Sequence, residues 1–128
     1  MSQQDLVNEM YSEIKNAIGT LVDDRVYNLV APQDYALPLI TFSIVADSPL
    51  PFMGPDNLYI IDVDVQVNIF GHKSDGAAAL RNINDTLIDY LHGFEIESIG
   101  TVSNTLRGIT EMNTDNDIIS IRSEYRVA

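Results

Sequence analysis

The sequence predicts an α+β fold, a mainly antiparallel sheet of about five strands with two helices on one face, in the order α-β-β-β-α-β-β. Three observations carry this. Two segments repeat apolar residues at helical spacing, at residues 6–21 and 80–91, and three others alternate apolar with polar. All five prolines fall between Pro32 and Pro55, so the breaks in regular structure are concentrated in one region. Helices stacked on a single face of the sheet would bury every apolar stripe at once.

The first helix is marked by Leu6, Val7, Met10, Tyr11, Ile14, Ala17, Ile18 and Leu21, three and four residues apart. Such spacing gives one apolar stripe along a helix. Ser2 or Asp5 is placed to cap its start, and Asp5 and Glu9 suit the positive end of the helix dipole. Gly19 is the natural stop.

Residues 25–30 form a short extended piece before Pro32, and residues 37–45 read as a strand opened by Pro38. There a missing N–H is tolerable. The following segment, ADSPLPFMGPDN (residues 46–57), holds three prolines and is expected to be a loop, since proline is excluded from helices and central strands. Its Leu50, Phe52 and Met53 would fold back on the core or meet another subunit.

LYIIDVDVQVNIF (residues 58–70) is the clearest strand. Ile61, Val63, Val65, Val67 and Ile69 share one face, and Asp62, Asp64, Gln66 and Asn68 the other. At about 3.3 Å per residue it would reach roughly 40 Å, so it is expected to bend, carry a bulge or extend past the sheet.

The second helix is predicted over residues 75–92 with Ser74 as N-cap, a stripe of Leu80, Ile83, Leu87, Ile88 and Leu91, and Gly93 as its end. Residues 96–112 and 118–127 read as strands joined by NTDND (residues 113–117), a hairpin signal. In the last strand Ile119, Ile121, Ser123, Tyr125 and Val127 face one side; Ser120, Arg122, Glu124 and Arg126 face the other. Neither an internal repeat nor a linker interrupts residues 1–128, which are expected to form a single domain with a proline-rich assembly loop at about 46–57.

With 128 residues, 45% apolar and 20% charged, the composition is that of a globular domain. Having no cysteine, the chain has neither disulfides nor thiolate metal ligands. The polar start MSQQDLVNEM is unlike a signal peptide, and no apolar run nears the ~20 residues that cross a bilayer, so the chain is expected to be soluble and intracellular when made, with no membrane partner. Nineteen acids against seven Lys and Arg give a formal charge of −12, with no basic residue between Arg25 and Lys73. Affinity for a nucleic-acid backbone requires clustered Lys and Arg, which this pattern withholds. The acidity serves solubility, or it makes a surface that repels DNA or attracts a basic partner.

Sites of chemistry are scarce. GHKSDG (residues 71–76) pairs Lys with Ser after a glycine but lacks the earlier glycine of a phosphate loop, and reads as a turn into a helix. Asn113, Asp115, Asp117 and Glu124 have the spacing of calcium-loop ligands, yet Ile118 stands where the loop needs glycine. His72 and His92 sit at helix boundaries without zinc-site spacing. Asp62 and Asp64 lie about 7 Å apart on one strand face, as on any wet strand. Neither a nucleophile elbow nor a converging catalytic set is visible, so no enzyme and no cofactor are expected.

The order of RVY (residues 25–27), APQ (residues 31–33) and LPLITFSI (residues 37–44) resembles the tail-completion family of long-tailed bacteriophages, the head–tail joining or tail-terminator proteins. The remaining elements follow in the same order, so the likeness spans nearly the whole chain. Where the family has an aromatic after Leu-Pro, this chain has Leu39, and its long strand closes on Phe70-Gly71.

The resemblance implies a ring, commonly of six subunits, that caps the tail tube where it meets the head connector or stopper and leaves a channel for DNA. Its place would be the virion, after assembly in the host cytoplasm. A ring of six would carry six times −12, a crowding that solvent, a basic partner or a lumen must accommodate, helped by screening beyond about 8 Å. On this reading Asp62 and Asp64 line the channel, and Ser48, Leu50, Phe52 and Met53 belong to the assembly loop. A competing class is an acidic DNA mimic that occupies a basic DNA-binding protein; it accounts for the charge but not for the proline-rich loop.

Overall fold

Alternation along β3 (Tyr59–His72) and β6 (Ile118–Val127) puts a continuous apolar face at the middle of the sheet. In the computed structural model they are accompanied by α1 (Gln3–Ile18), β1 (Val26–Asn28), β2 (Leu39–Met53), α2 (Ala77–Leu91), β4 (Glu95–Ile96) and β5 (Gly100–Asn113). The structure describes residues 3–33, 35–53, 59–96, 100–113 and 117–127, apart from the side chains of 3, 4, 45–53, 59–62 and 113. The six strands run β1-β2-β3-β6-β5-β4. Every neighbouring pair is antiparallel except β1 with β2, which is parallel.

The architecture is the expected α+β layer with one strand more than predicted. The extra strand is β4, which the alternation of 96–112 merged with β5; the two pair through Glu95↔Thr101 and Ile96↔Gly100. Both helices cover the same face. Val63, Val65, Val67 and Ile69 of β3 and Ile119, Ile121, Tyr125 and Val127 of β6 form one buried cluster with Met10, Ile14 and Ile18 of α1 and Leu80, Ile83, Leu87, Ile88 and Leu91 of α2. Burying a large aliphatic side chain is worth about 1.5–3 kcal/mol, so this single cluster supplies most of the drive to fold.

Helix ends differ from expectation in informative ways. At Gly19 the α-helix tightens into a 3-10 turn, Gly19–Val22. The tighter winding changes the angle between successive side chains. Val22 therefore enters the core while Leu21 stays 46% exposed, and Tyr11 also lies outside, beneath the Lys15 ammonium at 5.1 Å from its ring centre. Ser74 does not cap α2: it sits within a 3-10 turn, Lys73–Asp75, and the residue preceding the helix is Gly76 at φ +79°, with no side-chain cap. The Lys73 N–H donates to the Asp117 carbonyl at 2.8 Å, so this turn is tied to the end of the last hairpin. Gly71 lets α2 approach the sheet, since a Cβ there would stand 2.8 Å from Leu80 Cδ2.

The proline-rich segment requires a correction. Residues 46–53 are not a loop but the far half of β2, paired antiparallel with β3 from Ala46↔Asp64 to Pro49↔Ile61 and again at Met53↔Tyr59. Proline is excluded from a strand flanked on both sides, but this part of β2 pairs with β3 alone among the described residues, and an unpartnered edge tolerates a missing N–H. Residues 54–57, the rest of the predicted loop, lie outside the described residues, as do 114–116 of NTDND. Asn113↔Ile118 nevertheless pair as the ends of the expected hairpin.

Candidate functional site

The β2–β3 pair is longer than the sheet that supports it. At its base β1 reaches only Asn28↔Phe42, and β6 leaves β3 at Val63↔Val127. Beyond that point the described chain continues as a two-stranded arm, Ser48↔Asp62, Pro49↔Ile61 and Met53↔Tyr59. A register shift between Ile44 and Ala46 marks a bulge at the root of the arm. The extra residue of a bulge bends the strand and increases its local twist. The long strand thus both carries a bulged partner and extends past the sheet, as its length suggested. Ser48, Leu50, Phe52 and Met53 all belong to this arm; their side chains, like that of Asp62, lie outside the described residues.

Asp64 is described, and it is not a lone acid. It lies across from Arg126 on the helix-free face, with Arg126 Nε donating to its Oδ1 at 3.1 Å. Nearby, Arg122 lies 3.6 Å from Glu111 and 4.0 Å from Glu124, while its buried Nε has no hydrogen-bond partner. The face around Asp64 therefore alternates in sign. Half-exposed pairs of this kind contribute about 0–1 kcal/mol each, so their main effect is on the surface potential.

At the other end of β2 the segment between β1 and β2 folds over the helix-free face. Arg25, just before β1, fastens its β2 end: the Arg25 carbonyl accepts the Ile40 N–H at 2.9 Å and its Nε donates to the Pro38 carbonyl at 2.8 Å. The Leu37–Pro38 peptide is cis. Leu29, Val30, Ala31, Tyr35 and Leu37 then meet Leu39, Thr41, Phe70 and Ile118 around an apolar groove of about 270 Å³. Leu29, Val30 and Tyr35 on its rim are 66%, 78% and 44% exposed, a concentration of apolar surface in seven residues that core packing does not require. The expected short extended piece, proline break and strand do not disclose this groove; the available signal is four large apolar residues in a proline-bearing connection, Leu29, Val30, Tyr35 and Leu37.

A polar pocket near the C-terminal end of α2 is lined by Ile88, Asp89, His92, Asn104 and Arg107. The Asn104 N–H donates to His92 Nδ1 at 3.0 Å, so this histidine pins the start of β5. Asn104 Nδ2 donates to the Leu106 and Glu124 carbonyls, and buried Asn84 donates to the Arg107 carbonyl at 2.8 Å. These asparagines hold the two irregularities of β5, at Asn104/Leu106 and Leu106/Ile109. Among the described residues no three His, Cys, Asp or Glu gather as a metal site, and no helix is long and apolar enough to cross a membrane.

Neither a protein-family model nor a curated protein matches the chain. Among solved structures, a chain of the "Virion of native gene transfer agent (GTA) particle" aligns with a TM-score of 0.67 at 16% sequence identity, over 92% of this chain and 92% of that one. The two share a fold across nearly their whole lengths.

Proposed function

We propose that the chain is a structural protein of a phage-type virion, one that forms a ring terminating the tail tube and joining it to the head connector. The observation that carries this reading is the fold held in common with a virion chain over 92% of both lengths. The RVY, APQ and LPLITFSI pattern supports the more specific role, and a hexamer is the assembly it favours. Partners would be further copies of the chain, the tail-tube protein and a head-side connector or stopper, with DNA passing through the channel without specific binding.

The arm supports an assembly role because it reaches beyond its own sheet, where a neighbouring subunit or ring can take it up. On this proposal Asp62 and Asp64 line the channel. Arg126 offsets part of the charge of Asp64, so the wall would be weakly rather than strongly repulsive.

The test is to mix the purified protein with purified tail tubes and, separately, with basic DNA-binding proteins. Capped tube ends in electron micrographs are the expected result. Binding to the basic proteins with bare tube ends would overturn the proposal in favour of a DNA mimic. Deleting residues 49–54 should block head–tail joining while leaving the melting curve of the monomer in place. Particles carrying Asp62→Lys and Asp64→Lys should eject DNA poorly; normal ejection removes these residues from the channel wall.

A further inference from the structure

The arm and the apolar groove lie at opposite ends of the same two strands. The groove is built on Leu39 and Phe70, which pair at the base of β2–β3, and the arm ends at Met53↔Tyr59. On the partner strand eleven residue steps separate Phe70 from Tyr59, roughly 36 Å at about 3.3 Å per residue. A hairpin cannot fold its own tip back over that distance while its strands remain paired. One copy therefore carries, at one end, an arm whose sequence includes Leu50, Phe52 and Met53 and, at the other, an apolar groove.

We propose that the groove receives the arm of the next copy, so that subunits join head to tail. The occupant is a second copy because the chain carries both halves of the contact and cannot unite them within itself. Chemistry matches as well: the rim residues Leu29, Val30 and Tyr35 carry no charge, and neither does the outer strand of the arm between Ser48 and Met53, the arm's acid Asp62 standing on the paired strand. A contact made through that outer strand suits a chain at −12, since it draws two copies together by burying apolar area. Repetition of such a heterologous contact produces a closed ring when the rotation between copies closes, and a filament when it does not. The inference rests on the ring reading above and specifies the joint that would build it.

Absence of cysteine makes the test direct. The double variant Val30→Cys/Phe52→Cys is treated with a bis-maleimide, free in solution and on capped tail tubes. Head-to-tail docking predicts a covalent ladder reaching the size of the ring in at least one of the two samples, whereas a mixture of the two single-cysteine variants stops at dimers. Adding Leu29→Glu and Tyr35→Glu to this double variant, both at exposed rim positions where the fold should tolerate charge, should abolish the ladder, with circular dichroism checking that the subunit remains folded. Protein that caps tubes but gives no ladder overturns the arm-in-groove joint and leaves the ring reading in place. Protein that gives a ladder but never caps a tube keeps the joint and removes the tail-terminator role. A ladder that survives the two glutamates also overturns the joint.

Discussion

Tyr125 sits fully buried on β6, with its phenol oxygen 3.3 Å from the Ser123 hydroxyl. Burial pushes its pKa from 10.0 up to about 12, against smaller downward effects of the Ser123 hydrogen bond and the Arg107 charge. The folded state thus holds this proton more tightly than the unfolded chain does. Its contribution is complete below pH 10, the unfolded value, and is lost as pH rises through the folded value near 12. Two units at about 1.4 kcal/mol each give a total of about 3 kcal/mol, of which about 2 should be gone by roughly pH 11.5. Tyr125→Phe removes that titration, and at neutral pH it costs about 1 kcal/mol through the lost hydrogen bond. Urea unfolding of both proteins followed by circular dichroism at half-unit steps from pH 8 to 11.5 cancels the exposed tyrosines, which both share. The wild type should start ahead and fall behind. Parallel curves across the whole range would refute the claim that the Tyr125 phenol is buried as a neutral group.

Other consequences follow from the same packing. Leu87 of α2 is fully buried against the sheet, and Leu87→Ala should cost about 3 kcal/mol in urea unfolding; a loss below about 1 would mean that α2 is not seated on the core. Asn84→Asp puts a carboxylate against the Arg107 carbonyl in a site only 4% exposed, and should cost about 3 kcal/mol at pH 8. Its folded pKa would be raised, so stability should recover as pH falls and the protonated carboxyl donates again; a deficit independent of pH would contradict this. Asp64→Asn breaks a half-exposed ion pair with Arg126 and should leave stability within about 0.5 kcal/mol of wild type, as read by thermal melting.

What was legible in the sequence is what short-range pattern controls. Val63 to Ile69 and Ile119 to Val127 alternate because each strand has one buried face, and both faces were assigned residue by residue. The α2 stripe from Leu80 to Leu91 was equally plain. Long-range pairing was not legible. The parallel contact of β1 with β2 spans three residue pairs, fixed by Arg25 bonding to Pro38 and Ile40. No periodicity encodes a bond thirteen residues away. Proline misled for a related reason: the rule against it concerns strands with two neighbours, and how many neighbours the outer part of β2 has is a property of the whole sheet. Within the candidate site, Asp64 was found as an acid on the wet face, but its partner Arg126 lies 62 residues on and only the β3–β6 register joins them. Buried Asn84 and half-buried Asn104 gave no signal, since an asparagine holding a strand irregularity looks in sequence like any surface polar residue.

The proposed role is a ring closed on the end of a tail tube. Electron microscopy of tubes incubated with the purified protein, averaged along the tube axis, tests it most directly. That role predicts a single added ring at one end of each tube, six-fold symmetric and open at its centre, and its loss when residues 49–54 are deleted. Tubes whose ends are unchanged by saturating protein, while the same protein binds basic DNA-binding proteins, would contradict it.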